Sequence, residues 1–196
     1  TKIITCHIGN GGSLAAVKNG KCIDTSMGFT PNAGIIMGSR SGDIDASLIP
    51  FVMKKTGMNI SEIDNALNKK SGLLGISGVS SDSRDIEDGI KSGNDRCKLA
   101  QEMYVNKIVK YIAEYYVELG GADAIVFTAG VGENSITTRK QTIDKLACLG
   151  IKLDEQRNNV RAEVALISTD DSSVKVYVIP TDEEVMIARD TYKLAS

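Results

Sequence analysis

The sequence predicts an α/β fold. A mixed sheet opens as an antiparallel three-stranded meander, carries helices on both faces and accepts a helical insertion. Three observations predict it. Three short strand-like runs follow one another at the start; later segments alternate between helical and strand-like patterns; and one long helix shows a continuous apolar stripe.

Lys2 to Ile8 reads as the first strand because it is rich in β-branched residues. Ser13 to Lys18 and Lys21 to Thr25 read as the second and third. Asn19-Gly20 between them is a hairpin signal, since both central residues of a type I′ turn need φ > 0. Residues 26 to 45 form a polar, glycine-rich loop. Helices are expected at Ala46 to Thr56 and from Ser61, where Ser61 and Asp64 have capping-box spacing. "SGLLGISG" is glycine-punctuated, and "SSDSRDIEDGI" opens a short helix. Asp95 to Leu119 is the longest helix. Cys97, Ala100, Tyr104, Ile108, Tyr111, Tyr115 and Leu119 recur along it at three- and four-residue spacing, which marks one buried face. "ADAIVFTAG" is a buried strand, and "GVGENS" leads into a helix at about Ile136 to Cys148. Short strands are expected near Ala165 to Ser168 and Val174 to Ile179. Thr181 and Glu184 have the spacing of a final capping box. This is the element order of a ribonuclease-H-like core, a single domain over 1–196 with its helical insertion at about 46–92.

Bulk properties exclude several classes. The 196 residues suffice for one good core. A formal net charge of -2 provides no basic field for nucleic acid. No apolar run reaches the ~20 residues of a membrane span. Cys6, Cys22, Cys97 and Cys148 are scattered and form no C-x-x-C pair, which argues against structural zinc and a disulfide framework. A reduced, cytoplasmic protein is expected. The chain lacks an initiator Met and enters a strand at residue two, as a segment cut from a longer protein would.

Three sharp glycine loops are expected at strand ends: Gly9 to Gly12, Gly75 to Gly78 and Gly130 to Gly132. None fits G-x-x-x-x-G-K-[ST] or G-x-G-x-x-G, and no H-R-D, D-F-G or G-x-S-x-G occurs, so the common nucleotide, protein-kinase and serine-hydrolase signatures are absent. Backbone N–H groups at Gly-Asn-Gly-Gly can still converge into an anion nest, against the alternative of a plain turn. "AGVGENS" is either a ligand loop beyond a strand end or a turn in which Asn134 or Ser135 caps a helix. Arg40, between Gly38 and Gly42, is either a fork for a phosphoryl group or a surface arginine. Asp82 and Arg84 precede a short helix, where capping and surface pairing together are the plain reading. Glu183, in a first helical turn, is either a metal ligand or an acid favoured by the helix dipole. His7 is the only histidine, which excludes a multi-histidine metal site.

Taken together, "HIGNGGSLAAVKNGKCIDTSMGFTP", "MGSRSGDID", "NKKSGLLGISG", "SSDSRDIEDG", "VFTAGVGENS" and "VIPTDEEVMIARD" closely resemble the second half of the acetate kinase family. Order and spacing match along essentially the whole chain. That family belongs to the acetate and sugar kinase, heat-shock ATPase and actin superfamily, whose members hold nucleotide between two ribonuclease-H-like (actin-like ATPase) domains. The resemblance implies that His7, Ile8, Gly9, Asn10 and Gly11 form a phosphate loop, His7 standing where many superfamily members place an aspartate and serving as a donor near the transferred phosphate. It implies that Asp82, Ser83 and Arg84 contact the nucleoside, and that Gly130, Val131, Gly132, Glu133 and Asn134 form the adenosine loop. Arg40 is then the catalytic stabiliser of the transferring phosphoryl group, and Glu183 a Mg²⁺-site carboxylate. The implied reaction is reversible transfer of the ATP γ-phosphoryl group to acetate, giving acetyl phosphate and ADP. Mg²⁺ is the implied cofactor, ATP/ADP and acetate/acetyl phosphate the substrates, and a homodimer through this domain the expected assembly. The family's first half has no counterpart here, so the isolated chain is expected to have lost most or all kinase activity. Competing expectations are a propionate or butyrate kinase half, a non-catalytic nucleotide-dependent module, and a dimerisation module using the long helix.

Overall fold

The computed structural model describes residues 1–195. Its elements run β1 (Lys2–Ile8), β2 (Gly12–Lys18), β3 (Lys21–Thr25), α1 (Leu48–Thr56), α2 (Ile60–Lys69), α3 (Gly72–Ser77), α4 (Ser83–Lys91) and α5 (Asp95–Glu118). They continue with β4 (Ala124–Thr128), α6 (Ala129–Asn134), α7 (Ile136–Asp144), β5 (Ala165–Leu166), β6 (Lys175–Val178) and α8 (Glu183–Ala195). The strands form one sheet in the order β3-β2-β1-β4-β6-β5. β1, β2 and β3 pair antiparallel, as the meander requires; β1 with β4 and β4 with β6 pair parallel; β5 runs antiparallel along β6. Asn19 and Gly20 both take positive φ, 51° and 79°, as their hairpin turn demands.

Alternation builds the core. Ile4, Cys6 and Ile8 of β1 are fully buried, and their register partners are buried too. Ile4 pairs with Ala16 and Ile125, Cys6 with Leu14 and Phe127, and Ile125 and Phe127 with Val176 and Val178. One apolar face therefore runs unbroken across four strands. α5 packs over it with Cys97, Ala100, Tyr104, Ile108, Ile112 and Tyr115. The alternate residues Thr5, His7, Ala15 and Val17 lie half-buried on the other face. Tyr111, expected within the buried stripe of α5, sits at its margin, and Ile112 takes the core position.

Several boundaries differ from expectation, each for a local reason. α1 starts at Leu48, two residues late. α2 is capped by Asn59 and Glu62: the Asn59 side chain accepts from Glu62 N at 3.1 Å, and Glu62 Oε2 accepts from Asn59 N at 2.7 Å. Ser61 and Asp64 have the same spacing but lie inside the helix; the longer glutamate reaches back to the cap amide. Asp182, rather than Thr181, accepts from Val185 N at 3.0 Å to open α8. α7 stops at Asp144, and a 3-10 turn at Ala147–Leu149 covers the rest of the expected helix. Gly75 to Gly78 belongs to α3 and its cap rather than to a strand end. The strand expected to Ser168 is Ala165–Leu166, with Ser168 in an isolated bridge to Leu153. Among the described residues, no helix is long and apolar enough to cross a membrane. α8 buries none of its residues and exposes Met186, Ile187, Tyr192 and Leu194.

The long loop after β3 is held by one carboxylate. Asp43 Oδ1 accepts from Gly34 N at 2.7 Å, and Oδ2 accepts from the Tyr111 hydroxyl at 2.6 Å and pairs with Lys107 Nζ at 2.9 Å. Asp43 N returns a bond to Gly34 O at 3.0 Å. Partial burial pushes the Asp43 carboxyl up, but Tyr111, Lys107 and the Gly34 amide outweigh it and hold the group below the usual carboxylate range. A depressed carboxylate stabilises the fold above its unfolded pKa of about 3.9 and loses that contribution as pH falls through the folded value.

Asp43→Asn is expected to cost about 1–2 kcal/mol at neutral pH, since it removes charge-assisted bonds at a half-exposed site. The difference from wild type should shrink as pH falls below about 4; urea denaturation at a series of pH values measures it. Ile108→Ala, at the centre of the core, is expected to cost about 2–5 kcal/mol in the same assay.

Candidate functional site

Because β1, β4 and β6 run parallel, their carboxyl ends emerge on one edge of the sheet. Gly9–Gly11 leaves β1 there, α6 leaves β4, and residues 179–183 leave β6. The ends are stitched together: Ile179 N donates to Phe127 O at 3.0 Å, the Thr128 and Thr181 hydroxyls are in contact, and Thr181 N donates to Glu133 Oε1 at 2.9 Å. Ligands of open α/β sheets collect at such an edge.

The loop after β1 is tight, with Gly9 N donating to Gly11 O at 2.9 Å. A Cβ on Gly9 would lie 3.8 Å from Ala129 Cβ and 4.0 Å from Gly130 N, so this loop abuts the start of α6. Gly38 joins three segments. Its N–H donates to Asn10 O at 2.9 Å, and a Cβ there would fall 2.0 Å from Asn10 Oδ1 and 2.8 Å from Ser81 O. Only glycine allows this approach. Two residues on, Arg40 lies against Gly11, its Nη1 3.4 Å from where a Gly11 Cβ would be. Its contacts within the chain are long, 3.4 Å to Pro31 O and 3.7 Å to Met37 Sδ, and no carboxylate pairs with it among the described residues. A guanidinium so placed keeps most of its donors for an anion.

At the start of α4, Asp82 Oδ1 accepts from Arg84 N at 2.9 Å as the helix cap. Arg84 grips the same carboxylate, Nη2 to Oδ2 at 2.6 Å, and holds its pKa below the ordinary range. The Arg84 side chain is 87% exposed. The expected loop at Gly130–Asn134 is a short helix, entered through Ala129 at φ 63° and closed by Asn134 Nδ2 donating to Gly130 O at 2.9 Å. Ser135 caps α7, accepting from Thr138 N at 3.1 Å, and its hydroxyl lies 2.5 Å from Glu87 Oε1 of α4. α4 and α6 are thus tied at the base of the space between them.

That space is a cleft of about 700 Å³. It brings together Gly9, Asn10, Asp82, Ser83, Arg84, Gly130, Val131 and Asn134 from the expected set. It also takes in Leu73, Ser81, Glu87, Ser135 and Arg161, which were not expected. Ser81 and Ser135 sit in polar stretches already marked as helix starts; Arg161 lies in the irregular segment before β5 and carries no sequence signal. The other expected residues do not line the cleft. Ile8 is core, and Gly132 packs on Phe127 and Cys6 O. Glu133 turns its carboxylate to Thr181. His7 sits on the half-buried face of β1, opposite Thr128, with no side-chain hydrogen bond among the described residues. Gly11 and Arg40 adjoin the Gly9 loop. Glu183 is exposed at the first turn of α8, on the same sheet edge, and pairs with no cation among the described residues. A second cleft of about 610 Å³, between α3 and α5, includes Lys70, Lys107 and Lys110 but none of the expected site residues.

The described residues contain no cluster of three or more His, Cys, Asp or Glu able to cage a metal. A lone free carboxylate such as Glu183 instead suits Mg²⁺, which is commonly held by one or two carboxylates together with substrate phosphates. Glycine turns, three arginines at or beside the cleft and a flanking carboxylate are groups that could receive an anionic ligand.

Comparisons with known proteins place the chain in a family. The acetokinase family matches residues 1–189. An acetate kinase from Clostridium novyi (strain NT) is 57% identical over 98% of this chain and 48% of its own length. The crystal structure of Porphyromonas gingivalis acetate kinase superposes with a TM-score of 0.96 at 50% identity, covering 100% of this chain and 49% of that one. A propionate kinase structure from Francisella tularensis gives 0.90 at 44% identity, covering 95% of this chain and 47% of that one. The chain spans about half the length of the relatives it matches. Its sequence and its fold place it in the acetokinase family.

Proposed function

We propose that this chain is the nucleotide-binding domain of a two-domain cytoplasmic acetate kinase, with α1–α4 as an insertion between β3 and α5. One observation carries the reading: the turns after β1 and β4 and the start of α4 converge on one cleft, with an unpaired Arg40 beside the first of them. In this reading Gly130, Val131 and Asn134 flank the adenosine, Asp82–Arg84 border the nucleoside, and Gly9–Gly11 lead the phosphates toward Arg40.

Phosphoryl transfer asks the protein mainly for in-line positioning and charge neutralisation. A carboxylate oxygen of acetate forms a bond to the γ-phosphorus while the bond to the ADP oxygen breaks, giving acetyl phosphate and ADP. Acetate is already an anion at neutral pH, so no base is required. Arg40 neutralises charge on the transferring group's equatorial oxygens, and His7, without a side-chain hydrogen bond among the described residues, donates nearby. Bound Mg²⁺ would shield the phosphate charge, with Glu183 as its carboxylate. Acetate is taken as acceptor because acetate kinases from Clostridium novyi and Bacillus subtilis are each 57% identical to this chain, against 44% for the propionate kinase structure. An arginine left unpaired favours a transferase over a passive nucleotide switch. For a homodimer, exposed Leu48, Phe51 and Met53 of α1 and Ile60 of α2 offer apolar surface, whereas the main apolar stripe of α5 is spent in the core.

In an enzyme assembled from this chain and the unmatched half of the Porphyromonas gingivalis relative, Arg40→Ala is expected to lower kcat by about 10³-fold or more while KM for ATP moves only a few-fold. Arg40→Lys should recover little, because an ammonium lacks the fork. Steady-state kinetics measure both, and near-normal kcat in Arg40→Ala would overturn the assignment. Alone, this chain should bind Mg-ADP by calorimetry yet turn over at less than about 1% of the assembled enzyme, because the acceptor is not held in line.

A further inference from the structure

We propose that Arg139 is a positioning residue for the cleft: its guanidinium locks α6 and the 158–160 segment into one wall, so nucleotide affinity depends on a side chain that touches no ligand. The proposal rests on the nucleotide reading above, and its test separates the two.

Arg139, in the first half of α7, has 0% exposure. All five of its guanidinium N–H groups are spent. Nε donates to Asn158 Oδ1 at 2.8 Å; Nη1 donates to Gly132 O at 2.9 Å and Glu133 O at 2.8 Å; Nη2 donates to Asn158 O at 2.9 Å and Val160 O at 2.8 Å. Among the described residues no carboxylate meets it, and the oxygens it bonds are carbonyl and amide ones. Burial, with Arg161 nearby, pushes the guanidinium down to about 10. Burying such a cation is costly unless every donor is used.

The oxygens it takes are those α6 cannot satisfy itself. A helix leaves its last carbonyls without intrahelical partners. Across Gly130–Asn134 the accounting is complete. Gly130 O accepts from Asn134 Nδ2, Val131 O from Ser135 N, Gly132 O from Arg139, Glu133 O from Arg139 and Ala162 N, and Asn134 O from Arg161 at 2.7 Å. Arg139 therefore holds the end of the turn whose Gly130, Val131 and Asn134 line the cleft. Through Val160 it also seats the irregular segment that leads to Arg161, another cleft residue. A lysine keeps the charge but offers three donors from one atom, too few and too narrow for oxygens on two segments. Methionine would leave all five bonds unmade.

Hydrogen exchange and Mg-ADP calorimetry on Arg139→Lys, Arg139→Met and Asn158→Ala test this, with Lys140→Ala as a same-helix control. In Arg139→Lys, amides of 131–135 and 158–162 should exchange at least about tenfold faster while α5 amides keep their protection, and ADP affinity should fall about tenfold. Arg139→Met should be worse than Arg139→Lys in both readouts, and Lys140→Ala unchanged. If the Arg139 variants do not fold, Asn158→Ala decides, with the same local pattern at smaller size. Unchanged local exchange, loosening that includes α5, or local loosening with unchanged ADP affinity each overturn the proposal. If the wild-type chain binds no ADP, the nucleotide reading and the affinity role fall together, while the exchange pattern still shows whether Arg139 locks the wall.

Discussion

The parallel pairing of β1, β4 and β6 is the constraint on which the rest depends. Three strands that share a direction deliver three chain segments to one edge, and no rearrangement of loops could substitute for that. The pairing is held by the single apolar face of Ile4, Cys6, Ile125, Phe127, Val176 and Val178, all buried under α5 and its neighbours. Side chains alternate along a strand, so a slip of one residue would turn this face to solvent and bring Thr5 and His7 into the core. The hydrophobic effect that fixes register thereby also fixes where the Gly9 turn, α6 and the approach to Glu183 stand relative to one another.

Around that edge the charges divide into two kinds. Asp43 with Lys107 and Tyr111, Asp82 with Arg84, and Arg139 with its five oxygens are committed within the chain, and they hold loops. Among the described residues Arg40 and Glu183 form no ion pair, and they lie beside the turns rather than under them. Ionic groups that fasten the walls, beside an Arg40 and a Glu183 that form no ion pair among the described residues, are the arrangement on which the nucleotide proposal rests.

Much of the fold was legible because burial follows simple periods. Strand alternation, the Asn19-Gly20 turn and the stripe of α5 are read from residue type alone. α3 and α6 were not, because glycine weighs against helix in isolation and these short helices are held by tertiary bonds: Leu73 and Leu74 donate to Met37 O and Gly38 O, and Arg139 closes α6. The wrong caps show the same limit, since Asn59 and Asp182 compete locally with neighbours of equal spacing or type. At the site, the glycine turns stood out by composition, whereas a role for Arg40 was implied only by the family resemblance. Arg161 and Arg139 did not stand out, because one comes from an irregular segment and the other is a buried cation, against the usual rule for arginine.

Amide chemical-shift mapping of the isotopically labelled chain during titration with Mg-ADP tests the central claim most directly. If the three strand-end segments build one nucleotide site, shifts will concentrate at residues 9–11, 82–84 and 130–135 and leave the Lys70–Lys110 cleft untouched. Shifts centred on α3 and α5 around Lys70 and Lys110, or none at saturating nucleotide, would contradict it.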